Sequence, residues 1–103
     1  MTEDKIRVSI VEDTEDIREA LRVLINGSSG FECVHLFVDA EEAVDQMPDK
    51  DINVVLMDIN LPGMDGIGCM KALKPFMPNI NQFMFHFKIF YLKIRITYFF
   101  EPV

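Results

Sequence analysis

Three carboxylates could do chemistry in this sequence: Glu12 and Asp13, adjacent after the apolar stretch that ends at Val11, and Asp58, which follows Val54-Val55-Leu56-Met57. Brought into one cleft, such groups repel one another, and their apparent pKa values rise unless a cation compensates. Oxygen-only donors suit a hard ion. Mg2+ takes a small number of carboxylates and completes its octahedron with waters and the oxygens of a substrate phosphate. The trio therefore predicts a Mg2+ site, provided the fold joins positions 12, 13 and 58. Singly, each acid reads more readily as a solvated loop residue or a helix cap; only their placement at one sheet edge points to a site.

Ile6 to Val11 is short, β-branched and flanked by acids, which predicts a strand. Thr14 is placed to N-cap a helix whose first turn holds Glu15 and Asp16, and Ile17, Ala20, Leu21, Leu24 and Ile25 recur at helical spacing. That helix should stop at Asn26-Gly27, and a second strand fits Glu32 to Phe37. Asp39 with Glu42 forms a capping-box pattern before Ala43, Val44 and Met47, and Pro48 ends the helix. Asn53 to Met57 is continuously apolar after its first residue, as in a strand covered on both faces. A third helix is expected from about Gly66, with Ile67, Met70 and Leu73 inward and an end before Pro75, and a fourth strand over Ile80 to Phe85.

Strands alternating with helices imply a parallel sheet covered on both faces, whose ligands bind beyond the carboxyl ends of the strands. If the first and third strands are neighbours, Glu12, Asp13 and Asp58 meet there. The chain has room for one domain, and half its residues are hydrophobic, which excludes a disordered composition. Its net charge of −7 argues against direct nucleic-acid binding. Two cysteines, Cys33 and Cys69, are too few for a disulfide framework and are expected to be buried small side chains. The polar start Met1-Thr2-Glu3-Asp4 carries no secretory pattern, so a cytoplasmic location is expected. His35 and His86 are assigned no role.

Val11-Glu12-Asp13 and the segment Leu56-Met57-Asp58-Ile59-Asn60-Leu61-Pro62-Gly63-Met64-Asp65-Gly66, with the helix registers between them, resemble the receiver domain of two-component response regulators. The likeness runs from about Lys5 to about Phe85. It implies a flavodoxin-like, doubly wound parallel sheet of strand order 2-1-3-4-5, with Asp58 phosphorylated by a histidine kinase; in this chain the last strand and helices are expected to be degraded or replaced. Mg2+ would be held by Glu12, Asp13, Asp58 and the backbone carbonyl of Asn60. A homodimer is the self-association it allows. The resemblance is to a phosphoacceptor signalling domain rather than to an enzyme, and it includes no membrane segment.

The pattern breaks near Gln82. Residues 1–82, the receiver-like core, hold 16 of the 17 acidic side chains, whereas residues 83–103, an atypical aromatic and apolar tail, hold six of the nine phenylalanines. The family's hydroxyl residue after the fourth strand should fall around His86 to Lys88, where there is no Ser or Thr, and its lysine after the fifth strand has no match. Lys88 and Lys93 lack the right context. Apolar residues alternate in two opposite phases across Phe85 to Tyr98, as in a hairpin or an extended edge strand, with no turn residue between them. A membrane span is disfavoured by His86, Lys88, Lys93 and Arg95, since a central charge costs roughly 2.5–3.5 kcal/mol on insertion scales. Two origins fit the break: an altered reading frame beyond about Ile80, which would leave a truncated receiver, or a native tail. Three functions stay open: an impaired phosphoacceptor, a non-phosphorylating interaction module or fragment, and a Mg2+-dependent phosphohydrolase. The last usually wants a second acid where Asn60 stands.

Overall fold

A computed structural model describes residues 4–90 and 93–101, with side chains through Phe85. The apolar and β-branched runs form five strands: β1 (Ile6–Val11), β2 (Phe31–Phe37), β3 (Val54–Asp58), β4 (Asn81–Phe90) and β5 (Lys93–Glu101). The helices between them are α1 (Glu15–Asn26), α2 (Ala40–Gln46), extended by a 3-10 turn over Met47–Asp49, and α3 (Gly66–Leu73). The sheet has the order β2-β1-β3-β4-β5. β1 runs parallel to β2 and β3, and β3 parallel to β4. This is the flavodoxin-like α/β arrangement expected from the sequence, with four strands in the parallel order 2-1-3-4.

The period-2 alternation of the strands divides the core between the two faces of the sheet. Val11, Val55, Met57 and Met84 pack with Ala40 and Ala43 of α2 and with Cys69, Met70 and Leu73 of α3. On the other face Ile10 and Phe85 pack with Ile17 and Leu21 of α1. Fully burying an aliphatic side chain of this size is worth about 1.5–3 kcal/mol, so the two layers fix which strand ends lie together.

Several expectations are corrected. Of the five residues expected on the inner face of α1, Ile17 and Leu21 are buried, Ile25 is half-buried, and Ala20 and Leu24 are exposed, Leu24 at 62%. Among the described residues no second helix lies beside α1 to cover its flank, so only the stripe touching the sheet is dry. Thr14 occupies the N-cap position but makes no side-chain cap hydrogen bond. Asp39 does cap α2, accepting from the Glu42 N–H at 2.8 Å, while Glu42 reaches the N–H of Val38 at 3.4 Å instead of that of Asp39. Ile67, expected inward on α3, is 48% exposed. Cys69 is buried as expected, whereas Cys33 is half-buried.

The family's last strand is replaced, as expected: β5 lies beside β4 but runs antiparallel to it, in register from Gln82↔Glu101 to Phe90↔Lys93. The reason is chain length. Parallel neighbours need a crossover of about a dozen residues or more, whereas only two residues separate β4 from β5. β4 is accordingly ten residues long and continues past Phe85, where the sequence placed its end. The expected side-chain alternation beyond Phe85, and the roles weighed for His86, Lys88 and Lys93, lie outside the described side chains. No helix among the described residues is long and apolar enough to cross a membrane.

Candidate functional site

Val11 of β1 pairs with Met57 of β3, so the two strands end level and Glu12 comes opposite Asp58. The chain leaving β1 is pinned from its other side, because the Glu12 N–H donates to the Phe37 carbonyl at the end of β2 at 3.1 Å. Asp58 closes β3 beside Phe85 of β4. The expected trio therefore converges: Glu12, Asp13 and Asp58 each offer a carboxylate oxygen, all within 4.8 Å of one another. Glu12 is 1% and Asp58 4% exposed, while Asp13 is exposed. Two of the acids are dry and the third faces solvent.

This burial has an electrostatic consequence. Desolvation, followed by the hydrogen bond to and the charge of Asp58, pushes the Glu12 carboxyl up to about 8, against a smaller opposing effect of the Thr14 N–H. That N–H donates to Glu12 Oε1 at 3.2 Å, whereas Oε2 is buried and has no donor when both carboxyls are ionised. With both carboxyls ionised, neither can donate to the other. Either a proton on Glu12 or a cation between the acids relieves that arrangement. An all-oxygen donor set, two of its members dry and one open to solvent, fits a hard divalent cation with water on its outer side.

The loop after β3 is tied down at close range. The Asn60 N–H donates to Asp58 Oδ1 at 2.9 Å, which sets the orientation of the carboxylate, and Asn60 itself is exposed. The Gly66 N–H donates to the Ile59 carbonyl at 3.1 Å, and Asp65 caps α3 by accepting from the Gly68 N–H at 2.7 Å. Gly63 adopts φ +71°, a conformation that glycine tolerates and most residues do not. Pro62-Gly63 thus forms a turn, and Gly66 allows a close approach over the cleft.

Two residues were missed from the sequence. Arg18 on α1 donates from Nη1 to the carbonyls of Glu12 at 2.8 Å and Asp13 at 3.5 Å, which places a guanidinium under the backbone of the acid pair. Its position one helical turn after the Thr14 cap was the available signal. Glu41 on α2 accepts the Met64 N–H at 3.1 Å and fastens the loop over the cleft to the helix layer. No sequence spacing announces a contact across 23 residues.

An α/β sheet of order 2-1-3-4 with buried acids at the carboxyl rim defines a flavodoxin-like protein whose site lies at the rim. More particularly, the chain belongs to the response regulator receiver domain family, whose model matches residues 8–86. Among the proteins it resembles is a protein-glutamate methylesterase/protein-glutamine glutaminase of Burkholderia thailandensis, 36% identical over 73 residues; the match covers 71% of this chain and 21% of that protein. The chain thus spans about a fifth of the length of the curated relatives it matches. A two-component response regulator of the LuxR family from Aurantimonas superposes with a TM-score of 0.76 at 27% identity, covering 82% of this chain and 61% of that one. The Borrelia burgdorferi CheX–CheY complex with BeF3 and Mg2+ gives a TM-score of 0.64 at 34% identity over 77% of this chain and 60% of that one. The family is one of signalling domains.

Proposed function

We propose that the chain is a phosphoacceptor whose Asp58 takes a phosphoryl group from a histidine kinase, with Mg2+ held by Glu12, Asp13, Asp58 and the Asn60 backbone carbonyl. The observation that carries this reading is the convergence of the three carboxylates within 4.8 Å. The relative crystallised with BeF3 and Mg2+ supports it. An Asp58 oxygen attacks the phosphorus of a phosphohistidine protonated on its other ring nitrogen, the P–N bond pair goes to the ring, and the imidazole leaves neutral, keeping that proton. When bound, the cation would offset the repulsion between Asp58 and the incoming phosphoryl oxygens. The Asn60 N–H on Oδ1 holds the Asp58 carboxylate in place, and the low exposure of Asp58 and Glu12 keeps bulk water from the acyl phosphate. The partner is a histidine kinase in the cytoplasm, with no direct contact to nucleic acid, and self-association takes the form of a homodimer.

Transfer should be weak. In the sequence the family's hydroxyl position around His86 to Lys88 holds no Ser or Thr and its lysine has no match, and a lost charge-stabilising donor costs a few kcal/mol in the transition state. A second reading has its own observation: β4 runs on through Phe90 into an antiparallel hairpin instead of ending level with Asp58, as a module with its switch elements replaced would do.

Incubation with Mg2+ and acetyl phosphate, followed by intact mass spectrometry, separates the two. An adduct lost in Asp58→Asn supports phosphoacceptance. No adduct at any donor concentration supports the interaction module, and continuous phosphate release would point instead to a hydrolase.

A further inference from the structure

We propose that the groove between α3 and β4 is a docking site for an amphipathic helix of a partner protein that carries carboxylates beside its apolar stripe. β4 is an interior strand, bonded to β3 on one side and β5 on the other. Strands in such sheets are ordinarily covered on both faces. On the face shared with α2 and α3, the cover stops at α3 and leaves a cleft of about 420 Å3. It is lined by the buried Met70 and Met84, by the more exposed Ile59 and Ile67, and by Gln82. Ile67, nearly half exposed on a helix, is the apolar residue such a groove presents to a ligand.

The shape and chemistry select the occupant. A concave apolar strip beside a helix accepts another helix, whose residues at i, i+3 or i+4 and i+7 fill it, and a methionine lining adapts to different side chains. Charge then chooses among helices. Lys71 and Lys74 stand exposed along the rim of the cleft. In a chain with 17 acidic and 10 basic residues, neither forms an ion pair among the described residues. Two ammonium groups that flank an apolar strip and are unpaired among the described residues attract a carboxylate-bearing partner and disfavour a basic one. The assignment is independent of the carboxylate trio, although Ile59, the residue after Asp58, lines the cleft.

The test uses the full chain and two synthetic helical peptides of one length with leucines at i, i+3, i+7 and i+10, flanked by glutamates in one and by lysines in the other. Amide and methionine-methyl NMR spectra report binding. Shifts confined to Met70, Met84, Ile59 and Ile67 with the glutamate peptide, and at least roughly tenfold weaker binding of the lysine peptide, are expected. The double variant Lys71→Glu/Lys74→Glu, whose sites are exposed and outside the core, should invert that preference. No shift with either peptide, equal affinity for both, or a preference unchanged in the double variant overturns the proposal. So does a groove signal that moves with protein concentration alone, which would assign the surface to a second copy of the chain.

Discussion

Gly66 lies against Asp58 so closely that a methyl group on its Cα would sit 2.3 Å from the Asp58 carbonyl oxygen and 2.9 Å from Met57 Cγ. The absence of one carbon atom at the start of α3 is therefore a condition for the position of a carboxylate at the end of β3. Gly66→Ala must move either the strand end or the helix. Overpacking of this kind costs about 1–3 kcal/mol. Urea unfolding should register that loss, and Mg2+ titration followed by NMR should show weaker binding with altered signals for Asp58 and Asn60. Unchanged stability and unchanged Mg2+ response would mean that the close approach is not a constraint.

The raised pKa of Glu12 makes stability depend on pH in a defined direction. Its carboxyl moves from an ordinary 4.5 in the unfolded chain to about 8 in the fold, so between those values the folded state binds more protons. The contribution is fully present below about 4.5 and is lost as pH rises through about 8. Metal-free protein should therefore lose stability across that window, with Mg2+ reducing the loss. Glu12→Gln, which needs no proton to hydrogen-bond, should remove this component and be the more stable protein at pH 8 without metal. Denaturant midpoints measured across the pH range check this; a wild-type midpoint that rises from pH 5 to pH 8 would contradict it.

The helix caps give a paired comparison. Asp39 accepts a cap hydrogen bond from the Glu42 N–H, whereas Thr14 in the equivalent place before α1 accepts none. Asp39→Ala should cost about 1 kcal/mol, within the range for lost caps. Thr14→Ala should cost clearly less, and thermal melts of the two variants give the order directly.

The thiols should separate by reactivity. Burial pushes the Cys69 thiol up to about 12, with the Glu41 charge adding to the effect, and Cys69 is fully enclosed beneath α2. Cys33 is raised as well, chiefly by desolvation, but is only half-buried. Because the thiolate is the reactive form, a thiol reagent should modify Cys33 slowly and Cys69 only on unfolding. Peptide mapping after timed labelling measures this, and equal labelling would show that the α2 and α3 layer opens readily.

The parts of the molecule legible in the sequence were those where local pattern and long-range placement agree. β1 and β3 announce themselves by β-branched runs, and acids directly after each run are brought together once the strands lie side by side. Glu12, Asp13 and Asp58 needed no more than that. Arg18 and Glu41 stayed hidden because their partners are backbone groups of distant loops, and backbone acceptors carry no signature in side-chain order. The outer flank of α1 misled for a related reason: the helical spacing of Ala20 and Leu24 records an apolar face, but whether it is dry depends on a neighbour that periodicity within α1 cannot report. The hairpin was only half legible. Alternation in two opposite phases indicated paired strands, while the reversal sits where no glycine, proline or asparagine marks a turn.

The reversed direction of β5 also decides where the polypeptide leaves the sheet. Glu101 stands beside Gln82, three residues before the Phe85 that flanks Asp58, so the exit lies about 10 Å down the strands on the side away from the acids. A fluorophore or fused domain attached past Glu101 would start on the side of the sheet away from the carboxylate rim and leave that rim open.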